Sequence, residues 1–67
     1  MASVILNGEK REIPGELALD KFLQHFDLPL QRVAVEVNRE VIRRALWPDT
    51  IIKDADRVEV VHFVGGG

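Results

Sequence analysis

Cysteine is absent from this chain of 67 residues. Without it, no disulfide can stabilise the fold and no thiolate can bind zinc. The two histidines have no cluster of possible ligands near them in the sequence, whereas zinc usually needs at least three. A Ser-His-Asp pattern and a phosphate-binding glycine loop before a helix are also lacking. The sequence therefore predicts a protein that is not an enzyme and that binds no metal or other cofactor itself.

A strong excess of charge of either sign is lacking as well. Nine basic and eleven acidic residues give a net charge of −2, whereas a domain that binds nucleic acid is expected to present a clearly basic surface. No apolar run approaches the ~18 residues of a membrane span, and no basic segment followed by an apolar run opens the chain. We therefore expect no nucleic-acid partner, no membrane partner and a location in the cytoplasm.

The length allows one domain with a thin core. A chain of this size buries only about 60% of the surface that its unfolded form exposes, which disfavours a deep catalytic cleft. Hydrophobic residues make up 46% of the chain and charged residues 30%, as in folded domains and unlike disordered segments. The composition thus also favours a protein that acts with partners over an autonomous enzyme.

The first half of the chain has the pattern of a hairpin followed by a helix. Asn7-Gly8 is a strong hairpin turn, which predicts pairing of strands 3–6 and 9–13. The first strand is apolar enough to be central, and the charged second strand suits a sheet edge. One helical face is predicted from the spacing of Leu19, Phe22, Leu23 and Phe26. Ala18 is a poor N-cap, and Pro29 limits the helix at its other end.

The second half alternates with the period of strands. Residues 33–38 predict a half-buried strand, and residues 57–64 predict the last one. Between them, residues 38–50 are interpreted as a turn, a short strand and irregular loops with Trp47 as a packing anchor, and residues 53–56 as a turn. Two strands, one helix and three more strands indicate the α+β class, with the helix on one sheet face.

Three glycines follow the last strand, which divides the chain into a domain of residues 1–64 and a flexible tail of residues 65–67. Glycine has no Cβ, so such a tail can pass through a narrow opening and leaves its carboxylate unhindered. A carboxylate becomes a good acyl donor after attack on the α-phosphate of ATP. The chain lacks the groups that position ATP and magnesium, so a partner enzyme must supply them. The alternative is an inert, disordered end.

Five segments of the chain form a recognisable series: Asn7-Gly8, Val33-Ala34-Val35-Glu36-Val37-Asn38, Trp47, Asp54-Ala55-Asp56-Arg57-Val58-Glu59-Val60-Val61 and Phe63-Val64-Gly65-Gly66-Gly67. In this order they resemble the ThiS family, the sulfur carrier proteins of thiamine biosynthesis. The ending is the most specific of them. The resemblance implies a β-grasp (ubiquitin-like) fold with a mixed sheet. It also implies that Gly67 carries the reactive carboxylate, with Gly66 as its required neighbour and Gly65 as a flexible link.

The same resemblance implies partners. An E1-like adenylyltransferase would activate Gly67 with ATP, a persulfide-bearing donor such as a cysteine desulfurase would supply sulfur, and thiazole synthase would receive it. The absence of cysteine fits this role, because sulfur would be carried as a thiocarboxylate. In one departure, Ala55 stands where the family often has glycine. Since alanine disfavours positive φ, we expect a different turn geometry there.

A docking surface is predicted on the open face of the sheet, beside the tail. It comprises Ile5, Val61, Phe63 and Val64, and its alternative is that these side chains pack under residues 38–50. A small arginine cluster at positions 39, 43 and 44 is interpreted as a solvated face, or else as a partner for carboxylates. Three functional alternatives stay open. They are the small subunit of molybdopterin synthase, a ubiquitin-like interaction module with an inert tail, and a protein modifier joined to lysines through Gly67.

Overall fold

The computed structural model describes residues 1–63, and the first two strands form the predicted hairpin. Strand β1 (Ala2–Leu6) pairs antiparallel with β2 (Glu9–Ile13), with Leu6 opposite Glu9. Asn7 has φ 50° and Gly8 has φ 82°, so both central turn residues have the positive φ that a two-residue hairpin turn requires. The Asn-Gly prediction is confirmed, and with it the register of the hairpin.

Strands β4 (Val33–Val37) and β5 (Glu40–Ile42) form a second hairpin, and β7 (Arg57–His62) is the last strand. With β1 and β2 they form a main sheet of five strands in the order β2-β1-β7-β4-β5, so that β7 lies between β1 and β4. β7 runs parallel to β1 and antiparallel to β4. The return of the last strand beside the first makes the sheet mixed and confirms the β-grasp fold. The predicted central position of β1 and edge position of β2 are also confirmed.

Helix α1 (Leu19–His25) places its predicted apolar face in the core. Leu19, Phe22 and Leu23 are completely buried, and Phe26, at the C-cap, is half-buried with its ring 5.1 Å from that of Phe22. Ala18 is the N-cap and supplies no side-chain hydrogen bond. Since an isolated helix of this length is marginal in water, tertiary packing stabilises it.

A second, two-stranded sheet was not expected from the sequence. Strand β3 (Leu17–Ala18) pairs antiparallel with β6 (Ile51–Ile52). The N–H of Leu19 also donates to the carbonyl of Thr50 at 2.7 Å. A 3₁₀ helix at Arg44–Asp49 replaces part of the predicted irregular loop, so the interpretation of residues 38–50 was only partly correct.

The core lies between the inner face of the main sheet, α1 and the 3₁₀ helix. Its buried apolar residues are Ala2, Val4, Leu6, Ile13, Leu19, Phe22, Leu23, Val33, Val35, Val37, Trp47, Ile52 and Val58. The indole N–H of Trp47 donates to the carbonyl of Ile42 at 3.0 Å. The predicted role of Trp47 as a packing anchor is therefore confirmed. None of the helices within residues 1–63 has the length and apolarity needed to cross a bilayer.

The turn before β7 corrects the expectation for Ala55, which takes the left-handed conformation with φ 73° despite its side chain. Buried Asp56 holds the turn, because its carboxylate accepts hydrogen bonds from the Asn38 side chain at 3.1 Å and from the Lys53 N–H at 2.9 Å. Ser3 of β1 also contacts this turn. Its carbonyl accepts a hydrogen bond from the N–H of Ala55 at 2.7 Å, and its N–H donates to the carboxylate of Asp54 at 2.8 Å. These contacts fix a geometry that alanine alone disfavours.

Candidate functional site

Strand β7 carries the chain toward the predicted tail from the middle of the main sheet. Its last residue, His62, pairs with Val33 of β4, and the N–H of Phe63 donates to the carbonyl of Arg32 at 2.9 Å. The predictions for Val64, Gly65, Gly66 and Gly67, including the domain boundary at residue 64, lie outside the described residues. The structure thus gives the anchored base from which the glycine segment starts.

The turn after β1 supports β7 from its other side. β1 pairs with β7 only as far as Leu6, which lies in register with Val58. Beyond that point, the N–H of Asn7 donates to the carbonyl of Val58 at 2.9 Å, and the side-chain oxygen of Asn7 accepts the N–H of Val60 at 2.7 Å. These two bonds extend the support of β7 by two residues and help to fix the direction in which it leads.

The two faces of β7 have different surroundings. Val58 is completely buried on the core side, whereas Val61 is 56% exposed. Since side chains alternate along a strand, Arg57 and Glu59 lie on the same face as Val61. This outer face of the main sheet is the one on which the docking surface was predicted.

Exposed apolar side chains lie on the outer face at β5 and at the end of β7, and together they are called the apolar patch. It consists of Val41, Val61 and Phe63, which are 65%, 56% and 51% exposed. Val61 is opposite exposed Ala34 of β4, and Val41 is on β5, the next strand. The alternative that Val61 and Phe63 pack under residues 38–50 is excluded by their exposure. Val41 was missed because the segment around it gave no clear strand period.

Ile5 does not belong to this patch. It is half-buried and lies in register with Arg57 of β7 and Lys10 of β2. Val61 is four residues after Arg57 on β7, and Glu59 lies between them on the same face. The predicted grouping of Ile5 with Val61 and Phe63 therefore needs correction, although all three are on the outer face.

Two glutamates occupy the level between Ile5 and Val61. Glu36 of β4 is directly opposite Glu59 of β7, and Val41 is opposite Glu36 on its other side. Within residues 1–63 the ion pairs are Arg11–Glu9 and Lys53–Asp56, so neither Glu36 nor Glu59 has a charged partner there. Like charges directly opposite in a sheet are destabilising.

The predicted arginine cluster is divided among different environments. The guanidinium of Arg44 lies over the Trp47 ring, 4.6 Å from its centroid. Arg43 is exposed at the start of the 3₁₀ helix, and Arg39 is exposed in the turn between β4 and β5 with φ 72°. Arg44 thus has a packing role, whereas Arg39 and Arg43 fit the solvated interpretation.

The part of the chain that the structure describes contains no group of three or more possible metal ligands among His, Cys, Asp and Glu. Over the same residues no pocket is present. The chemical features that can be located are therefore those of a surface: an apolar patch, an acidic pair and the base of the glycine segment.

The sequence matches the ThiS family model over residues 4–67, which includes all three glycines. The chain belongs to the ThiS family. Proteins of this family are small sulfur carriers of thiamine biosynthesis and not enzymes. Membership also confirms the resemblance drawn from the Asn7-Gly8 turn, the valine-rich strands and the glycine ending.

Related proteins place this ThiS chain in more detail. It is similar to the crystal structure of the ThiS protein of Geobacter metallireducens, with a TM-score of 0.86, 32% identity and coverage of 97% of this chain and 99% of that one. It is 39% identical to the sulfur carrier protein ThiS of Thermus thermophilus over 96% of this chain and 98% of the relative. It is also 30% identical to a thiazole synthase of Paramagnetospirillum magneticum over 96% of this chain, but it spans only 20% of that protein.

Proposed function

We propose that this ThiS protein carries sulfur as a thiocarboxylate on Gly67 and delivers it for the thiazole ring of thiamine. The observation that carries this proposal is the family match, which runs through Gly67 on a chain whose last strand is central in the sheet. A tail that starts from a strand held by β4 up to its last residue has a fixed origin. Glycine at each tail position then lets the carboxylate enter a narrow active site on another protein.

Activation requires chemistry that a partner supplies. A carboxylate oxygen of Gly67 attacks the α-phosphorus of ATP, pyrophosphate leaves, and an acyl-adenylate forms. Positioning of the phosphates and magnesium needs a dedicated set of cationic and acidic groups. We assign that task to an E1-like adenylyltransferase, with ATP as its substrate and not as a cofactor of this chain.

Sulfur reaches the acyl-adenylate from outside the chain. The sequence contains no cysteine, so the protein cannot form a persulfide itself. A persulfide on a second protein, such as a cysteine desulfurase, attacks the acyl carbon and displaces AMP, and a thiol reductant then cleaves the sulfur–sulfur bond. The product is the thiocarboxylate of Gly67. We place these steps in the cytoplasm, where ATP and reducing thiols are available.

Thiazole synthase is the proposed acceptor of the sulfur. The similarity to a segment about a fifth the length of a thiazole synthase supports this choice. A second thiazole synthase, from Magnetococcus marinus, is 36% identical over a segment that makes up 19% of its length. A carrier-like segment within the same polypeptide as the acceptor is what a dedicated pair of partners would produce.

Intact-mass spectrometry tests the proposal. The full chain is incubated with ATP, magnesium, the cognate adenylyltransferase, a persulfide-loaded cysteine desulfurase and a thiol reductant. We expect a net replacement of one oxygen by one sulfur, located at Gly67 by fragmentation, and no change when ATP is omitted. The enzyme is shown to be active by exchange of pyrophosphate into ATP. Exchange without any sulfur gain, or a sulfur placed elsewhere in the chain, would contradict the proposal.

A further inference from the structure

We propose that the outer face of the sheet binds thiazole synthase through a cationic side chain of that enzyme, seated against Glu36 and Glu59 and surrounded by apolar contacts to Val41, Val61 and Phe63. The inference rests on the proposed function for the identity of the partner. It adds the residues of this chain that recognise that partner and the chemistry of the complementary surface.

The first argument is the arrangement of charge and apolar surface. Glu36 and Glu59 are directly opposite on neighbouring strands, where the Cβ atoms of such pairs lie about 5 Å apart. One guanidinium is wide enough to contact two carboxylates at that spacing, and its planar fork suits them. Val41 and Val61 adjoin this pair on the same face and are 65% and 56% exposed. An interface with a buried arginine among apolar side chains has this composition.

The second argument is the cost of the pair in the free protein. Two other carboxylates of the domain have a cationic partner: Glu9 has Arg11 at 3.1 Å, and Asp56 has Lys53 at 3.7 Å. Among the described residues, Glu36 and Glu59 have no such partner, although Arg57 is only two positions from Glu59 on the same face. A sequence usually avoids a local conflict of this kind unless a function compensates for it.

The third argument is position. Phe63 is 51% exposed and immediately precedes the residues that lead to Gly67. A partner that receives the tail must cover the surface around its base, and Glu59 lies one side-chain level from Val61 on β7, with Glu36 beside it on β4. Other acidic strand residues lie elsewhere: Glu12 is on edge strand β2, two strands from β7, and Glu40 is on β5 opposite Val37, which faces the core.

The test compares a variant that loses two carboxylates with a control that loses one, by surface plasmon resonance against purified thiazole synthase. E36Q/E59Q removes the acidic pair, and E12Q removes one exposed strand carboxylate from β2. We expect the double variant to bind about tenfold more weakly, mainly through a faster dissociation rate, and E12Q to bind like the wild type. Between low and high salt, the wild type is expected to lose affinity and the double variant to lose much less.

Stability measurements separate binding from folding. Because the like-charge contact is removed, E36Q/E59Q is expected to have an equal or higher melting temperature than the wild type. Unchanged affinity of E36Q/E59Q for thiazole synthase would overturn the inference, and so would an equal loss in E12Q. A loss confined to the adenylyltransferase, measured in parallel, would also overturn it, because the occupant would then be that enzyme.

The outcome does not depend on the test of the proposed function. If Gly67 gains no sulfur but E36Q/E59Q still weakens binding to thiazole synthase, the sulfur chemistry fails and the recognition surface stands. If Gly67 gains sulfur while E36Q/E59Q binds normally, the carrier function stands and the acidic pair has no part in recognition.

Discussion

The side-chain oxygen of Asn7 accepts a hydrogen bond from the N–H of Val60 at 2.7 Å. The turn that closes the first hairpin therefore also supports β7, the strand that leads to the tail. N7G keeps the positive φ of this position and removes the side-chain oxygen that accepts from Val60. N7D keeps the positive φ and also retains a side-chain oxygen as acceptor. We expect N7G to lower the free energy of unfolding by about 1 kcal/mol, the usual net value of a hydrogen bond. N7D is expected to lose less than half as much.

Urea denaturation followed by tryptophan fluorescence measures both variants, since Trp47 is the single tryptophan and is buried. Hydrogen exchange of the Val60 amide gives a local readout and should be faster in N7G than in N7D. Equal stability of N7G and the wild type would mean that water replaces the Asn7 oxygen without cost.

Ala55 offers a stabilising substitution. Its φ of 73° is in the left-handed region, which costs an ordinary residue roughly 1–2 kcal/mol and glycine almost nothing. Replacing Ala55 with glycine removes this cost from the folded state, but part of the stabilisation is offset by the greater conformational freedom of glycine in the unfolded chain. We therefore expect A55G to raise the free energy of unfolding by about 1 kcal/mol.

The matched control is A45G in the 3₁₀ helix, where the alanine is exposed and is not among the residues with positive φ. There the same change is expected to destabilise by about 0.5–1 kcal/mol, because glycine gains nothing in the folded state. A55G and A45G shifting the urea midpoint in the same direction would refute the strain at Ala55.

The elements that the sequence predicted well are those in which side-chain period and burial agree. Val33, Val35 and Val37 alternate, and all are buried on the core face. The hairpin was predictable because Asn7-Gly8 meets a specific backbone requirement. These signals are local, and they suffice for the first hairpin, the helix and strand β4.

The missed features depend on contacts between distant segments. Strands β3 and β6 have two residues each, too short for any period to appear, and they pair only because the helix and the 3₁₀ helix bring them together. The same holds for Ala55, whose conformation is imposed by Ser3 and Asp56. The distance of Ile5 from Val61 could not be predicted either, because it depends on the parallel register of β1 and β7.

Phe63 should matter more for activation than for stability. Since it is 51% exposed, F63A is expected to cost less than about 1 kcal/mol of folding free energy. Because Phe63 is close to the start of the tail that must enter the adenylyltransferase, we expect F63A to lower kcat/KM for adenylation about tenfold. Pyrophosphate exchange into ATP measures that rate.

Phe26 provides the comparison for Phe63. It is half-buried at the end of α1, with its ring 5.1 Å from that of Phe22 and close to His25. F26A is expected to lose about 2 kcal/mol of stability and, below its melting temperature, to be adenylated at the rate of the wild type. Similar losses of stability and rate in F63A would instead identify Phe63 as a packing residue.

A change at the tail itself separates the carrier from an inert module. One leucine added after Gly67 moves the carboxylate onto a branched residue and lengthens the segment that must enter the active site. The described domain ends its strand pairing at His62 and Phe63, well before this addition, so the melting temperature should not change. Sulfur loading, measured by intact mass, is expected to be lost, whereas a deletion of Gly66 and Gly67 should leave binding of thiazole synthase to the outer face detectable. Full loading of the extended chain would mean that the glycine carboxylate is not what the adenylyltransferase recognises, because a β-carbon at the acyl residue would then make no difference.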